Sequence, residues 1–211
     1  MRVIDLSHPI GEGMPVMPGD EPVRLFQTRF LEKHGYNGFR FDSGLHAGTH
    51  MDAPSHLTDS AAGIRQMTPE RCIGRGCLVD VRGKQLITAA DGMGADMQRG
   101  DMVLLYTGFD SVYGEERYYT QSPVVDVSFA HLLIEKGVSA FAMDIYSPDK
   151  HPFPVHTYLM ARGMPIIENL TNLSALVGIE EFAVAAFPLA LAAEASPVRV
   201  VAWEISALSL G

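Results

Sequence analysis

Residues 41–57 read Phe-Asp-Ser-Gly-Leu-His-Ala-Gly-Thr-His-Met-Asp-Ala-Pro-Ser-His-Leu and bring His46, His50, Asp52 and His56 within eleven residues. Three imidazoles and a carboxylate this close are costly to bury unless something pairs with them. Imidazole nitrogen and carboxylate oxygen are ligands that zinc, manganese and iron accept, so a bound divalent cation is the simplest partner. The i, i+4 spacing of His46 and His50 would suit one helix face, but Gly48, Thr49 and Pro54 disfavour a helix here. The stretch reads instead as a strand ending in a rigid loop, with the ligands on the loop. Loop histidines are usually solvated or hydrogen-bonded. Asp52 and His56, on a backbone stiffened by Gly and Pro, turn the reading toward a metal.

The scaffold around this loop is legible in outline. Apolar or alternating runs predict strands at 2–7, 23–31, 38–45, 77–81, 102–106, 139–145, 165–170, 182–187 and 198–205. Val127 to Lys136 is the clearest helix, with Asp126 or Ser128 as cap and Gly137 as its end. Weaker helical readings fall at 88–99, 155–162 and 173–177, and Thr68-Pro69-Glu70 suits a helical turn. Tyr113 to Ser122, polar and aromatic, reads as a surface loop. Many strands and few long helices argue for one mixed α/β domain over residues 1–211, with a sheet core.

A net charge of −9 argues against a nucleic-acid partner, whose phosphates want a basic face. No signal-peptide pattern stands at the N-terminus, and the longest apolar run, Phe182 to Ala193, is too short to span a bilayer and holds Pro188. The expectation is a cytoplasmic protein that works on a small molecule. Cys72 and Cys77 lack a second pair and read as ordinary thiols in a reducing compartment.

Glu168 is the odd residue of its segment, a carboxylate beside Ile167 on an apolar strand; buried there, it needs a cation or several donors. His156, on the helix before it, reads from the residues alone as a core or surface histidine more readily than as a ligand. His8 reads as structural, His34 as exposed in a turn, and His131 as solvated or packed. Asp144, at a strand end, suits either an acceptor behind the site or a cap on the next loop.

The run His-x-Gly-Thr-His-x-Asp-Ala-Pro-x-His from His46 to His56 resembles the signature of the cyclase-like metal hydrolases, a family that includes bacterial kynurenine formamidases and isatin hydrolases. Further similar segments are Pro18-Gly19-Asp20, Asp144-x-x-Ser-x-Asp149, Ile166-Ile-Glu-Asn-Leu170 and Ser196-Pro-x-Arg199, so the resemblance covers nearly the whole chain. It implies a swivelling β/β/α arrangement, in homodimers or homotetramers. It also implies that His46, His50 and Asp52 hold one divalent ion, zinc or else manganese. Asp52 would bridge to a second ion held with His156 and Glu168, which stand twelve residues apart as in the family. His56, outside the ligand set, suits donation of a proton to a leaving nitrogen.

The activity implied is hydrolysis of an amide carbon–nitrogen bond, in which the cation lowers the pKa of a water to about 7. An arylformamidase that turns N-formylkynurenine into kynurenine and formate comes first. The family's formamidases typically carry Trp just before the proline of the Pro-Gly-Asp loop, which lies over the substrate; here that residue is Met17. A cyclic amide, lactone or other acyl substrate therefore stays in play, as does a metal-binding protein without turnover.

Overall fold

The structure is a computed structural model and describes residues 2–205. Twelve strands among these residues are β1 Val3–Asp5, β2 Arg24–Arg29, β3 Gly38–Asp42, β4 His50–Asp52, β5 Ile73–Asp80, β6 Leu86–Ile87, β7 Met102–Tyr106, β8 Val124–Val125, β9 Ala140–Met143, β10 Ile166–Glu168, β11 Phe182–Pro188 and β12 Ala195–Glu204. The α-helices are α1 Leu31–His34, α2 Ala89–Gly92, α3 Glu116–Thr120, α4 Val127–Lys136 and α5 Pro154–Met160. Eight strands form one sheet in the order β1-β12-β11-β5-β7-β9-β10-β4, and β4 pairs back onto β12, which closes the sheet into a barrel-like core. The pairs β5–β7, β7–β9 and β9–β10 are parallel, while β11, β12, β1 and β4 pair antiparallel. The expected single α/β domain with a mixed sheet is what the chain forms.

The central strand β7 is buried at every position, as its unbroken Met-Val-Leu-Leu-Tyr sequence requires of a strand covered on both faces. Its alternation sorts the core into two layers. Val103 and Leu105 pack with Phe129 and Leu133 of α4 and with Val155 and Leu159 of α5. Met102, Leu104 and Tyr106 pack on the opposite face with Met51, Ile167, Val184 and Val200. Helix α4 spans the residues its caps mark: Asp126 accepts a hydrogen bond from the Ser128 amide at 2.9 Å, and Gly137 takes the left-handed conformation that ends it.

Three readings are corrected. The 88–99 segment shortens to α2, held by a capping box between Thr88 and Asp91, with Met93 to Gly100 irregular. Strand 23–31 stops at Arg29, where a helical turn takes over. Residues 113–122 are not a loose surface loop, because α3 lies there with Tyr118 fully buried. The Tyr118 hydroxyl donates to Asn169 Oδ1 at 2.7 Å, and its ring meets Tyr113, Tyr119 and Tyr146, so tertiary packing buries an aromatic that local polarity puts outside. Among the described residues no helix is long and apolar enough to cross a membrane.

Candidate active site

His50 and Asp52 stand on strand β4 itself rather than on a loop after a strand, which revises the expectation for this stretch. Three residues alone would not hold as a strand. β10 on one side and β12 on the other supply the hydrogen bonds, with Glu168 opposite His50 and Ile166 opposite Asp52. Because side chains alternate across a strand, Met51 enters the core while His50 and Asp52 share the other face. Glu168 projects beside them from β10, and α5 lays His156 over the same spot. His46 reaches in from the preceding loop, which turns at Gly48 with φ 66. His56 follows on the short helical turn Pro54–His56.

Two trios of donor atoms converge: His46, His50 and Asp52 in one, Asp52, His156 and Glu168 in the other, each within 4.8 Å of one another. Asp52 belongs to both. His46 Nδ1 stands 3.0 Å from Asp52 Oδ1 without the alignment of a hydrogen bond, and His50 Nε2 stands 3.4 Å from both Asp52 Oδ1 and Glu168 Oε2. His50 Nε2 and Asp52 Oδ1 are buried with no hydrogen-bond partner. Two such atoms aimed at one point are expensive unless a cation sits between them, and nitrogen and carboxylate oxygen are what a divalent cation takes. The donor set therefore fits the implied metal.

The rings are held from behind. His50 Nδ1 donates to the Gly48 carbonyl at 2.9 Å, which leaves Nε2 as the ligand nitrogen. His156 Nδ1 donates to Asp149 Oδ1 at 2.5 Å, while its Nε2 faces Glu168 Oε1 at 3.1 Å. The other Asp149 oxygen accepts from the amides of Val155 and His156 at the start of α5. Asn169, in left-handed backbone at φ 57, donates from Nδ2 to the same Gly48 carbonyl. Asp149 and Asn169 both lie inside segments quoted above for their likeness to the family, but nothing in their spacing assigns them this supporting work. Asp144 ties down the turn after β7, and its hydrogen bonds go to Thr107 and Gly108.

Electrostatics follows from the mixture. Burial disfavours a charged His50, yet Asp52 and Glu168 outweigh it and push its pKa up to about 9. Burial likewise opposes His156, which the bonds to Asp149 and Glu168 carry up to about 10. Burial raises Asp52, but His50 and His46 more than offset it and hold the carboxyl at about 2. His56 goes the other way. It is half-buried, and burial lowers its pKa despite the pull of Asp52. Its ring centre lies 4.4 Å from that of His46 and 6.3 Å from that of His156, outside both trios.

Above the donors opens a cleft of about 350 Å³. Met17 stands at its rim, 42% exposed. Tyr113, Tyr119, Tyr146 and Phe153 make the walls. These aromatics are scattered over forty-one positions of the chain, so no sequence window could have grouped them.

A closed mixed sheet with imidazole–carboxylate trios at the foot of one cleft suits a class, the enzymes that work with a divalent metal. The family model described as "Putative cyclase" matches residues 4–150. Kynurenine formamidase from Bacillus cereus is 28% identical over 204 residues, which cover 94% of this chain and 95% of that protein. A solved structure described as a potential metal-dependent hydrolase with cyclase activity superposes with a TM-score of 0.82 at 27% identity, covering 97% and 98% of the two chains. Isatin hydrolase A from Labrenzia aggregata shares the fold with a TM-score of 0.85 at 21% identity, covering 95% and 93%. The chain belongs to the cyclase family, and it is a hydrolase.

Proposed function

We propose that the chain is a cytoplasmic arylformamidase that hydrolyses N-formylkynurenine to kynurenine and formate. The observation that carries the reading is Asp52, shared by two donor trios at the foot of an aromatic-walled cleft. The relatives named kynurenine formamidase, spanning nearly the whole chain, support the substrate. His46, His50, Asp52, His156 and Glu168 would hold the cation, zinc or manganese, as one ion or as two bridged by Asp52. When bound, such an ion polarises the amide carbonyl and makes a water acidic enough to attack near neutral pH.

The chain's own residues do the rest. The aromatic walls flank the ring and turn its amide toward the donors. His56, neutral at pH 7 because burial lowers its pKa, accepts a proton from the attacking water. The new carbon–oxygen bond forms, the carbon–nitrogen bond breaks, and His56 Nε2 or Nδ1 returns that proton to the departing aryl amine. This refines the role expected from sequence, since a histidine with a lowered pKa enters as base before it serves as acid.

A second reading, a cyclic amide such as isatin, a lactone or another acyl substrate, is favoured by Met17 in place of a flat clamp. Self-association as a homodimer or homotetramer is supported by the β2–β3 hairpin, where Phe26, Phe30, Leu31, Tyr36, Phe39 and Phe41 are all exposed. The deciding assay sets zinc- and manganese-loaded protein against N-formylkynurenine, isatin and aryl esters. Preferred turnover of N-formylkynurenine is expected. Turnover of isatin or esters alone would transfer the assignment to the second reading, and no turnover with stoichiometric metal would leave a metal-binding protein.

A further inference from the structure

Of the fifteen residues that line the cleft, none is a lysine or an arginine. Its carboxylates are Glu168 at the floor and Asp20 near the rim, with Asp52 beside Glu168. Asp52 and Glu168 belong to the donor trios. Asp20 is left over. It is exposed, on the turn where its amide donates to the Met17 carbonyl at 2.9 Å. Its charge reaches the wall, because burial and then Asp20 raise the pKa of Tyr119. Tyr119 and its aromatic neighbours also offer ring faces that attract a cation and do nothing for an anion.

From this we infer that the cleft selects aryl amides whose tail ends in an ammonium group over those whose tail ends in a carboxylate, with Asp20 as the residue that sets the preference. The inference rests on the proposed aryl amide hydrolysis and narrows its substrate class. On a zwitterionic amino-acid tail, Asp20 takes the ammonium end and the carboxylate meets no lysine or arginine among the lining residues. Removing that carboxylate improves the fit.

The test uses three formanilides with one ring and tails ending in an amine, a methyl or a carboxylate, assayed with the metal-loaded protein. The expected order of kcat/KM is amine, methyl, carboxylate, with about three- to fivefold at each step, the upper range for a solvent-exposed charge pair. Raising the salt to about 1 M shortens the screening length to about 3 Å and should flatten the series, which a steric preference would not do. Asp20→Asn keeps the turn and should lower the amine-to-methyl ratio toward one, leaving only what the aromatic faces contribute. A carboxylate tail equal to or better than the amine, or a series unchanged in Asp20→Asn, overturns the inference. The same tails on the corresponding anilines, with Kd read by calorimetry, separate the two claims. An ordered Kd series without turnover upholds the preference and removes the proposed reaction, whereas a flat Kd series removes the preference whatever the turnover.

Discussion

Asp149 and His156 form a single unit: one carboxylate oxygen takes the ring Nδ1–H at 2.5 Å, and the other accepts from the first amides of α5. The same side chain therefore starts the helix and orients the imidazole that the helix carries. Asp149→Ala removes both supports. Metal affinity should fall about 10- to 100-fold, the usual cost of losing such a partner. Stability should drop by about 1 kcal/mol or more from the lost cap. Metal titration and thermal melts of the cation-free protein check the two effects separately.

Metal uptake should depend on pH in a stated direction. Without a cation, His50 holds its proton up to about 9 and His156 up to about 10. A metal must expel those protons, so affinity should rise with pH from 6 toward 10 and loading should release acid. In the chelated protein both imidazoles have pKa values above the unfolded value of about 6.5. Their contribution to stability is thus complete below pH 6.5 and is lost as pH rises through 9 and 10. Chelated protein should melt lower at pH 10 than at pH 6.5. Proton-release calorimetry showing none released at pH 7 would contradict this charge state.

Substitution at Met17 probes the rim. Met17→Trp puts a flat ring at the rim of the cleft that Tyr119 also lines and should raise kcat/KM for N-formylkynurenine about twofold to twelvefold, the worth of an added aromatic pair of about 0.5–1.5 kcal/mol. Steady-state kinetics on both forms decide it. An unchanged value would mean that the substrate ring is held by the tyrosines alone, or that the substrate belongs to the second reading.

How far this could be read from residues alone differs by element. β7 and α4 were legible to the residue, because an unbroken apolar run and a Gly-terminated helix are local signals. The ligand types of the metal stretch were equally plain. Their placement on a strand was not, since β4 exists through partners more than a hundred residues away. His156 could be reached only through likeness to a family, for nothing local sets it apart from a core histidine. Tyr118 was misplaced because its neighbours are polar, while the groups that bury it, Asn169 and Tyr146, come from later in the chain.

Tyr118→Phe tests that burial. It strips the hydroxyl from Asn169 Oδ1 in a buried setting and should cost about 1–3 kcal/mol of stability. Asn169 also braces the Gly48 carbonyl behind His50, so metal affinity should weaken along with it. Denaturant unfolding and metal titration read the two consequences. A variant as stable as the parent would show that the hydroxyl bond contributes nothing.

The most direct measurement pairs metal content with turnover in two variants, His50→Ala and His56→Ala. His50 Nε2 is a buried donor aimed at Asp52 and Glu168, so His50→Ala should lose metal and activity together. His56 lies outside both trios. His56→Ala should keep its metal while turnover falls by about 10²–10⁴-fold, and the loss should shrink only in part on activated esters, whose leaving groups need little protonation but whose attacking water still gives up its proton. If His56→Ala loses metal as completely as His50→Ala, or if His50→Ala retains full metal and full activity, the proposed division between metal-holding and proton-moving histidines is wrong.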